Sequence, residues 1–210
     1  EALSPTWTET DIIRAENGDE KLPRSIEELF TRMKGHVRDV AQLLECDDFS
    51  YRDLFLPGTD EREIQLWMAS CLRQRARGIY SVVRENAVDD DKEIDISILA
   101  DGVGRIPIEI KPLNKKKYTF KELCKDVLED QLVGRYMQPR NVKHGMLLLV
   151  LHEDRAWMLP HKARASLDEL VDALQSYANE LGARTGKMLA IAAVDAVRKR
   201  PSPLAESELA

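Results

Sequence analysis

The chain has 210 residues, of which 43% are hydrophobic, and its formal net charge at pH 7 is −6. This size and composition are typical of one globular domain, with or without a small helical addition. The sequence contains no apolar run of the roughly 18 to 20 residues that cross a membrane, and it does not begin like a signal peptide, so we expect a cytoplasmic protein without membrane contact. The acidic balance argues against a protein that coats nucleic acid through bulk positive charge.

Cysteine and histidine spacing predicts neither a disulfide framework nor a zinc site. The three cysteines are far apart and form no CxxC pair, and the four histidines show no metal-binding spacing. We therefore expect reduced thiols and no histidine ligand.

The first part of the chain predicts an arm followed by two helices. Residues 1–24 are polar and carry turn signals, which is typical of an arm or linker. Ser25 and Glu28 have the spacing of a capping box, and apolar residues at helical spacing follow up to about position 44. A second helix is predicted from Asp60 to Gly78, with Asp60 as its cap and Glu63 as the capping-box partner.

The remaining elements predict an α/β fold. Strands are expected at 79–83, 93–99, 105–111, 145–151 and 188–194, and helices from Thr119 to Pro139 and over 166–181. The run at 145–151 is continuously apolar, as in a strand buried on both faces. We place one domain at 25–195, with its core at about 60–151, and a C-terminal tail at 196–210.

Charged residues occupy one face of the predicted hairpin formed by 93–99 and 105–111. Polar and apolar residues alternate strictly in both strands, so Asp95 lies on the polar face of the first strand. Glu109 and Lys111 lie on the polar face of the second. A loop of two or four residues would pair Asp95 with Ile110 and separate the two carboxylates. An odd loop or a bulge at 101–104 is therefore predicted.

Two carboxylates and a lysine in this arrangement suit metal-assisted phosphodiester hydrolysis. Hard oxygen ligands prefer Mg²⁺ or Mn²⁺, and the carbonyl of Ile110, between Glu109 and Lys111, adds a third oxygen. Lys111 lies next to these ligands and could orient the attacking water and stabilise negative charge on the phosphate.

Asp95 followed by Glu109-Ile110-Lys111 on the next strand, within the order α-β-β-β-α-β, resembles the PD-(D/E)XK superfamily of restriction-endonuclease-like nucleases. The resemblance covers about residues 60–151, and Ile94 stands where the name has a proline. It implies a restriction-endonuclease-like fold, a central mixed sheet flanked by helices, here with an additional N-terminal helix. It also implies Asp95 and Glu109 as metal ligands and Lys111 as the catalytic lysine.

Many members of this superfamily add a glutamate from the helix before the first strand, and Glu61 and Glu63 compete for that role. On a helical wheel Glu61 lies inside the apolar arc and Glu63 at its edge, so we favour Glu61 as the ligand.

Two further groups of residues are expected to line the site or contact nucleic acid. Some relatives carry a Gln-x-x-x-Tyr motif on the helix after the hairpin; here Gln131 and Tyr136 are five apart, and Arg135 shares a helical face with Gln131. The resemblance therefore extends to Gln131 more firmly than to Tyr136. Lys115, Lys116 and Lys117, flanked by Asn114 and Tyr118, form a basic strip that could follow phosphates or be an ordinary solvated loop.

Taken together, these features predict a Mg²⁺- or Mn²⁺-dependent DNA endonuclease, with RNA as the other possible substrate. Because position 1 is not methionine, we expect a piece of a longer protein. The resemblance implies that this piece is an effector domain of a restriction, repair or anti-phage defence protein, with a homodimer partner or an upstream sensor domain. The alternative is a catalytically silent module that keeps the nuclease fold for nucleic-acid binding or dimerisation. A third reading is an unrelated α/β interaction domain.

Overall fold

The computed structural model describes residues 22–46, 60–88, 92–114, 117–153 and 155–197. The predicted arm at 1–24 and tail at 196–210 lie almost entirely outside these residues, and so do Lys115 and Lys116. Within the described ranges, no helix is long and apolar enough to cross a membrane.

Four helices and seven strands are described. In chain order they are α1 (Ile26–Cys46), α2 (Glu61–Ala76), β1 (Ser81–Val88), β2 (Lys92–Ala100), β3 (Gly104–Leu113), α3 (Phe120–Glu122, continuing as a π-helix over Leu123–Tyr136), β4 (His144–Leu151), β5 (Trp157–Leu159), β6 (Lys162–Ala165), α4 (Leu167–Thr185) and β7 (Met188–Asp195). The expected order of main elements is confirmed, and the small hairpin β5–β6 adds to it.

The central sheet has five strands in the order β1-β2-β3-β4-β7. Its first three strands are antiparallel to one another, whereas β3, β4 and β7 run parallel. The α/β fold with a mixed sheet flanked by helices is thus confirmed.

Two hydrophobic clusters cover opposite faces of this sheet. The first packs α1 and α2 against one face, and the second packs α3 and α4 against the other. Strand β4 contributes to both clusters, since Leu148 lies in the first whereas Leu147 and Leu149 lie in the second. All eight residues of β4 are buried, which confirms the strand predicted to be covered on both faces.

The helix starts agree only in part with the predicted capping. The Glu28 N–H donates to the Ser25 hydroxyl at 3.3 Å, but the Glu28 carboxylate accepts from the N–H of Arg24 and not of Ser25. The predicted capping box of Asp60 and Glu63 is wrong. The Asp60 side chain makes no capping bond, because its backbone carbonyl already accepts the Glu63 N–H at 3.0 Å.

The hairpin β2–β3 has the odd loop that the charged face requires. Ala100 pairs with Gly104, so the loop consists of the three residues 101–103. Gly102 has a φ of 70°, a conformation that glycine adopts without strain. The pairing between the strands ends at Ile96 and Ile108, directly before Asp95 and Glu109. The two strands therefore separate where the acidic residues lie.

Beyond this point the strict alternation predicted for β2 is lost. Ile96 and Ile98 pack in the first hydrophobic cluster, as expected, but Ile94 packs in the second. The register of β2 against β1 is the same on both sides of Asp95, at Ile96 and at Ile94.

Candidate metal centre

Three carboxylates from different elements meet where β2 and β3 separate. Glu61 comes from the first turn of α2, Asp95 from β2 and Glu109 from β3. One carboxylate oxygen from each lies within 4.8 Å of the other two. Glu63, the competing candidate, is exposed. The structure thus brings Glu61, and not Glu63, to the acidic cluster.

Asp95 is held by two hydrogen bonds that fix its carboxylate. Its Oδ2 accepts the backbone N–H of Ile110 at 2.6 Å, and its Oδ1 accepts from Nε2 of Gln65 at 2.8 Å. The first bond replaces the strand pairing that ends at Ile96 and Ile108. Since an antiparallel strand turns the N–H and C=O of one residue to the same side, we expect the Ile110 carbonyl to face the cluster as well.

Glu109 is a fully buried carboxylate without adequate neutralisation. It is 0% exposed, and apart from a close contact with the Lys111 ammonium, neither oxygen has a hydrogen-bond partner among the described residues. Burial, followed by the nearby charge of Asp95, raises the pKa of Glu109 to about 8. Burial also raises the pKa of Asp95, to about 6, although Lys111 opposes this. The cluster is therefore short of positive charge.

Lys111 supplies the positive charge at this position. Its Nζ contacts Glu109 and lies 3.1 Å from Oε1 of Glu61. Burial by itself would lower the pKa of Lys111, but the charges of Glu109 and Glu61 outweigh burial and the pKa is raised. Lys111 therefore carries its proton at neutral pH and tethers α2 to β3.

A small divalent cation fits this donor set. Oxygens on opposite sides of a Mg²⁺ ion are about 4 Å apart, and the three carboxylate oxygens lie within 4.8 Å of one another. Only hard oxygen donors are present, which suits Mg²⁺ or Mn²⁺ better than softer metals. The buried Glu109 carboxylate, which contacts the Lys111 ammonium but has no regular hydrogen bond among the described residues, is the group that such an ion would neutralise further.

The helix α3 brings Tyr136 and Gln131 to the side of the cluster. Gln131 Nε2 donates to the Tyr136 hydroxyl at 2.9 Å. In an α-helix residues five apart do not face each other, but the π-helix shifts its hydrogen bonds to this spacing, as in the 3.0 Å bond from Met137 N–H to the Leu132 carbonyl. Burial and then the charge of Glu109 raise the pKa of Tyr136.

Arg135 and Lys117 are both exposed. The sharing of a face by Gln131 and Arg135 rested on α-helical geometry. In the π-helix the partner of Gln131 is the buried Tyr136 instead. Lys117 lies in the loop after β3, and its N–H donates to the Asn114 carbonyl. Of the predicted basic strip, Lys117 alone lies within the described residues.

Sequence reasoning missed Gln65, and it did not place Tyr118 at the cluster. Gln65 is buried and follows Glu61 by four residues, one helical turn, and this spacing is a signal that the sequence carries. Tyr118 lies near the cluster, since the charges of Lys111 and Glu61 act on its hydroxyl, whose pKa is raised mainly by burial. The sequence marked Tyr118 only as the end of the basic strip and gave it no role at the cluster, because its position depends on the path of a loop.

Comparison with protein-family models, with curated proteins and with solved structures found no match for this chain. A functional interpretation therefore depends on the geometry of the cluster itself.

Proposed function

We propose that this chain is a metal-dependent nuclease of the PD-(D/E)XK type that hydrolyses phosphodiester bonds of DNA. The observation that carries the proposal is the meeting of three carboxylates, from Glu61, Asp95 and Glu109. The Glu109 carboxylate is fully buried, and the charged Lys111 is in contact with it. A surface ion pair between Glu109 and Lys111 would explain two of these residues but not the burial of Asp95 or its two hydrogen bonds.

Each residue of the cluster has a role that its contacts support. Glu61, Asp95 and Glu109, with the Ile110 carbonyl, would hold Mg²⁺ or Mn²⁺. Such an ion neutralises charge on the phosphodiester and makes a bound water more acidic. Gln65 and the Ile110 N–H keep the Asp95 carboxylate in one orientation. Lys111 presents a fixed ammonium that stabilises the negative charge developing on the phosphate.

The proposed setting is an effector domain of a larger restriction, repair or anti-phage defence protein, acting as a homodimer or under an upstream sensor domain. DNA is the proposed substrate. The resemblance stated from the sequence supports this setting, and the order of elements in the described sheet agrees with that resemblance.

The test combines metal binding with cleavage. The 210-residue chain is incubated with supercoiled plasmid, with linear duplex and with RNA in Mg²⁺ or Mn²⁺, and thermal unfolding is followed in the same buffers. We expect cleavage of DNA and a rise in Tm with Mn²⁺, and we expect Asp95→Asn to abolish both. Lys111→Met should lose at least about a hundredfold in rate, the size of effect seen when one preorganised charge donor is removed.

Lys143→Met is the matched control, because it makes the same substitution at an exposed lysine. Cleavage that survives both Asp95→Asn and Lys111→Met would refute the proposed site. Mn²⁺ binding without cleavage of any substrate would favour the catalytically silent module.

A further inference from the structure

Arg155 binds the loop that connects β3 to α3. Its Nη1 donates to the carbonyls of Asn114 at 2.6 Å and Lys117 at 2.8 Å, and its Nη2 donates to the carbonyl of Tyr118 at 3.4 Å. One guanidinium group thus fixes three backbone positions of a short loop. Arg155 lies directly before the β5–β6 hairpin, about 40 residues further along the chain.

The other side of Arg155 is fixed by Trp157. The guanidinium carbon lies 3.6 Å from the centre of the Trp157 ring, and Trp157 is only 1% exposed. A planar guanidinium stacked on a buried aromatic ring is restricted in orientation, and its hydrogen bonds are correspondingly directional. The β5–β6 hairpin, which has no other evident role at the metal centre, therefore supports the loop.

The loop follows β3, the strand that carries Glu109 and Lys111, and it includes Lys117 and Tyr118. Lys117 is exposed, and its N–H donates to both the carbonyl and the side-chain oxygen of Asn114, at 3.2 Å each. Tyr118 is half-buried, packs against the second hydrophobic cluster and has a φ of 62°. A positive φ is strained for a tyrosine and persists only where surrounding contacts enforce it.

We propose that Arg155 is a positioning residue that holds Lys117 and Tyr118 beside the metal centre, where both contact the nucleic acid next to the scissile bond. The ammonium of Lys117 binds a phosphate, and Tyr118 contacts the adjoining nucleotide. This inference rests on the proposed nuclease function and extends it to a substrate-contacting loop. If Arg155 had only a packing role, it would stabilise the loop, but its substitution would not change the affinity for nucleic acid through Lys117.

The experiment measures DNA binding without turnover. Fluorescence anisotropy gives the Kd of a labelled duplex for the 210-residue chain in Ca²⁺, a hard cation that takes the same oxygen ligands. Mn²⁺ titration and thermal unfolding are measured in parallel. We expect Arg155→Gln to raise Kd about tenfold, equivalent to about 1.4 kcal/mol, with Mn²⁺ affinity unchanged. Arg155→Lys, which keeps the charge and part of the hydrogen bonding, should lie between Arg155→Gln and the wild type.

A double-mutant cycle then tests whether Arg155 acts through Lys117. If it does, Arg155→Gln combined with Lys117→Gln binds no more weakly than the weaker single variant. The substitution of Lys117 or Arg155 should also reduce the slope of log Kd against log salt concentration, by the amount that corresponds to about one phosphate contact. Arg164→Gln is the matched control, because Arg164 is an exposed arginine of the same hairpin.

Three results would overturn the inference. In the first, the losses of DNA affinity in Arg155→Gln and Lys117→Gln add up in the double variant. In the second, Arg155→Gln lowers the Tm but leaves the Kd for DNA unchanged. In the third, Arg164→Gln loses as much DNA affinity as Arg155→Gln. In each of these the wild type still binds Mn²⁺ and DNA, and the proposed nuclease function stands. If the wild type binds neither, the proposed function fails and the inference fails with it.

Discussion

At the residue scale, Asp95 connects three parts of the molecule. Its carboxylate accepts hydrogen bonds from β3, through the Ile110 N–H, and from α2, through Gln65. Both donors are in buried surroundings, so loss of the acceptor would leave them without partners. The choice of substitution can therefore separate the structural contribution of Asp95 from its proposed role in metal binding.

We predict that Asp95→Asn and Asp95→Ala differ in stability but agree in metal binding. Asparagine keeps an oxygen for the Ile110 N–H, and its amide can pair with a rotated Gln65 side chain. Alanine leaves two buried donors unpaired and should lower the free energy of unfolding by about 2 to 4 kcal/mol. Urea denaturation measures the stabilities, and Mn²⁺ titration should show no binding in either variant. Equal stabilities would show that the two hydrogen bonds contribute little.

A second residue-scale prediction concerns His144, which is 3% exposed. Burial lowers the pKa of His144 below its ordinary value of 6.5, against the opposing charge of Glu27. The unfolded state consequently binds more protons than the folded state near pH 6, so this group's contribution to stability falls as pH drops through 6.5. We expect wild type to lose more stability than His144→Leu between pH 7.5 and 5.5. Urea denaturation across this range gives the difference.

Parallel curves for wild type and His144→Leu would mean that His144 remains protonatable in the folded protein. Other groups, including the acidic cluster, also titrate in this range, but they contribute equally to both curves.

Individual site residues could be predicted from the sequence where they follow the periodicity of a strand or a helix. Asp95, Glu109 and Lys111 could be found because strand alternation and a triplet spacing place them, and Glu61 because a helical wheel does. Whether they hold a metal ion remains a prediction. Tyr118 and Arg155 are far apart in sequence, and the contact between them depends on a loop that no periodicity describes.

At the scale of elements, strand β7 is an end strand of the described sheet and is almost entirely apolar. Gln175 of α4 covers part of its outer edge. Its Nε2 donates to the Leu189 carbonyl at 3.1 Å, and its Oε1 accepts the Ile191 N–H at 2.9 Å. One side chain thus satisfies a donor and an acceptor that would otherwise invite pairing with another strand.

We predict that Gln175→Leu promotes self-association. The substitution leaves the edge of β7 open, and should cost about 1 to 2 kcal/mol in unfolding free energy. Sedimentation velocity at increasing concentration should show larger species for Gln175→Leu than for wild type. Asn179→Ala is the control, since it removes the 2.9 Å contact between Asn179 and Gln175 but leaves the bonds to β7 intact. Identical profiles for Gln175→Leu and wild type would contradict a protective role.

Most elements could be predicted because their signals are local, and the exceptions have physical causes. Pro107 is accommodated in β3, although proline lacks a donor, because pairing with β4 begins only at Ile108. The π-helix was not foreseen, since its apolar residues satisfy α-helical spacing equally well. The strands β5 and β6 have three and four residues, too short to show a period.

At the scale of the whole molecule, the sheet joins the two hydrophobic clusters into one unit. Leu147 and Leu148 are adjacent in β4, and each is fully buried in a different cluster. Loss of packing on one face removes the support that orders β4 for the other. The predicted single domain at 25–195 should for this reason unfold in one transition, although its two faces share few side-chain contacts.

We predict that substitutions on opposite faces lower the same transition. Leu72 in α2 and Leu174 in α4 are both 0% exposed, so each change to alanine should cost about 2 to 5 kcal/mol. Two single-tryptophan backgrounds report on the two faces separately. Trp67 packs on the first cluster, and Trp157 lies in the second. Both fluorescence signals should change at one temperature, and this temperature should fall in Leu72→Ala and in Leu174→Ala alike. Separation of the two signals in either substitution would show that the layers unfold independently. The proposed metal centre, which takes Glu61 from α2 and Glu109 from β3, would then be lost while the α4 layer stays folded.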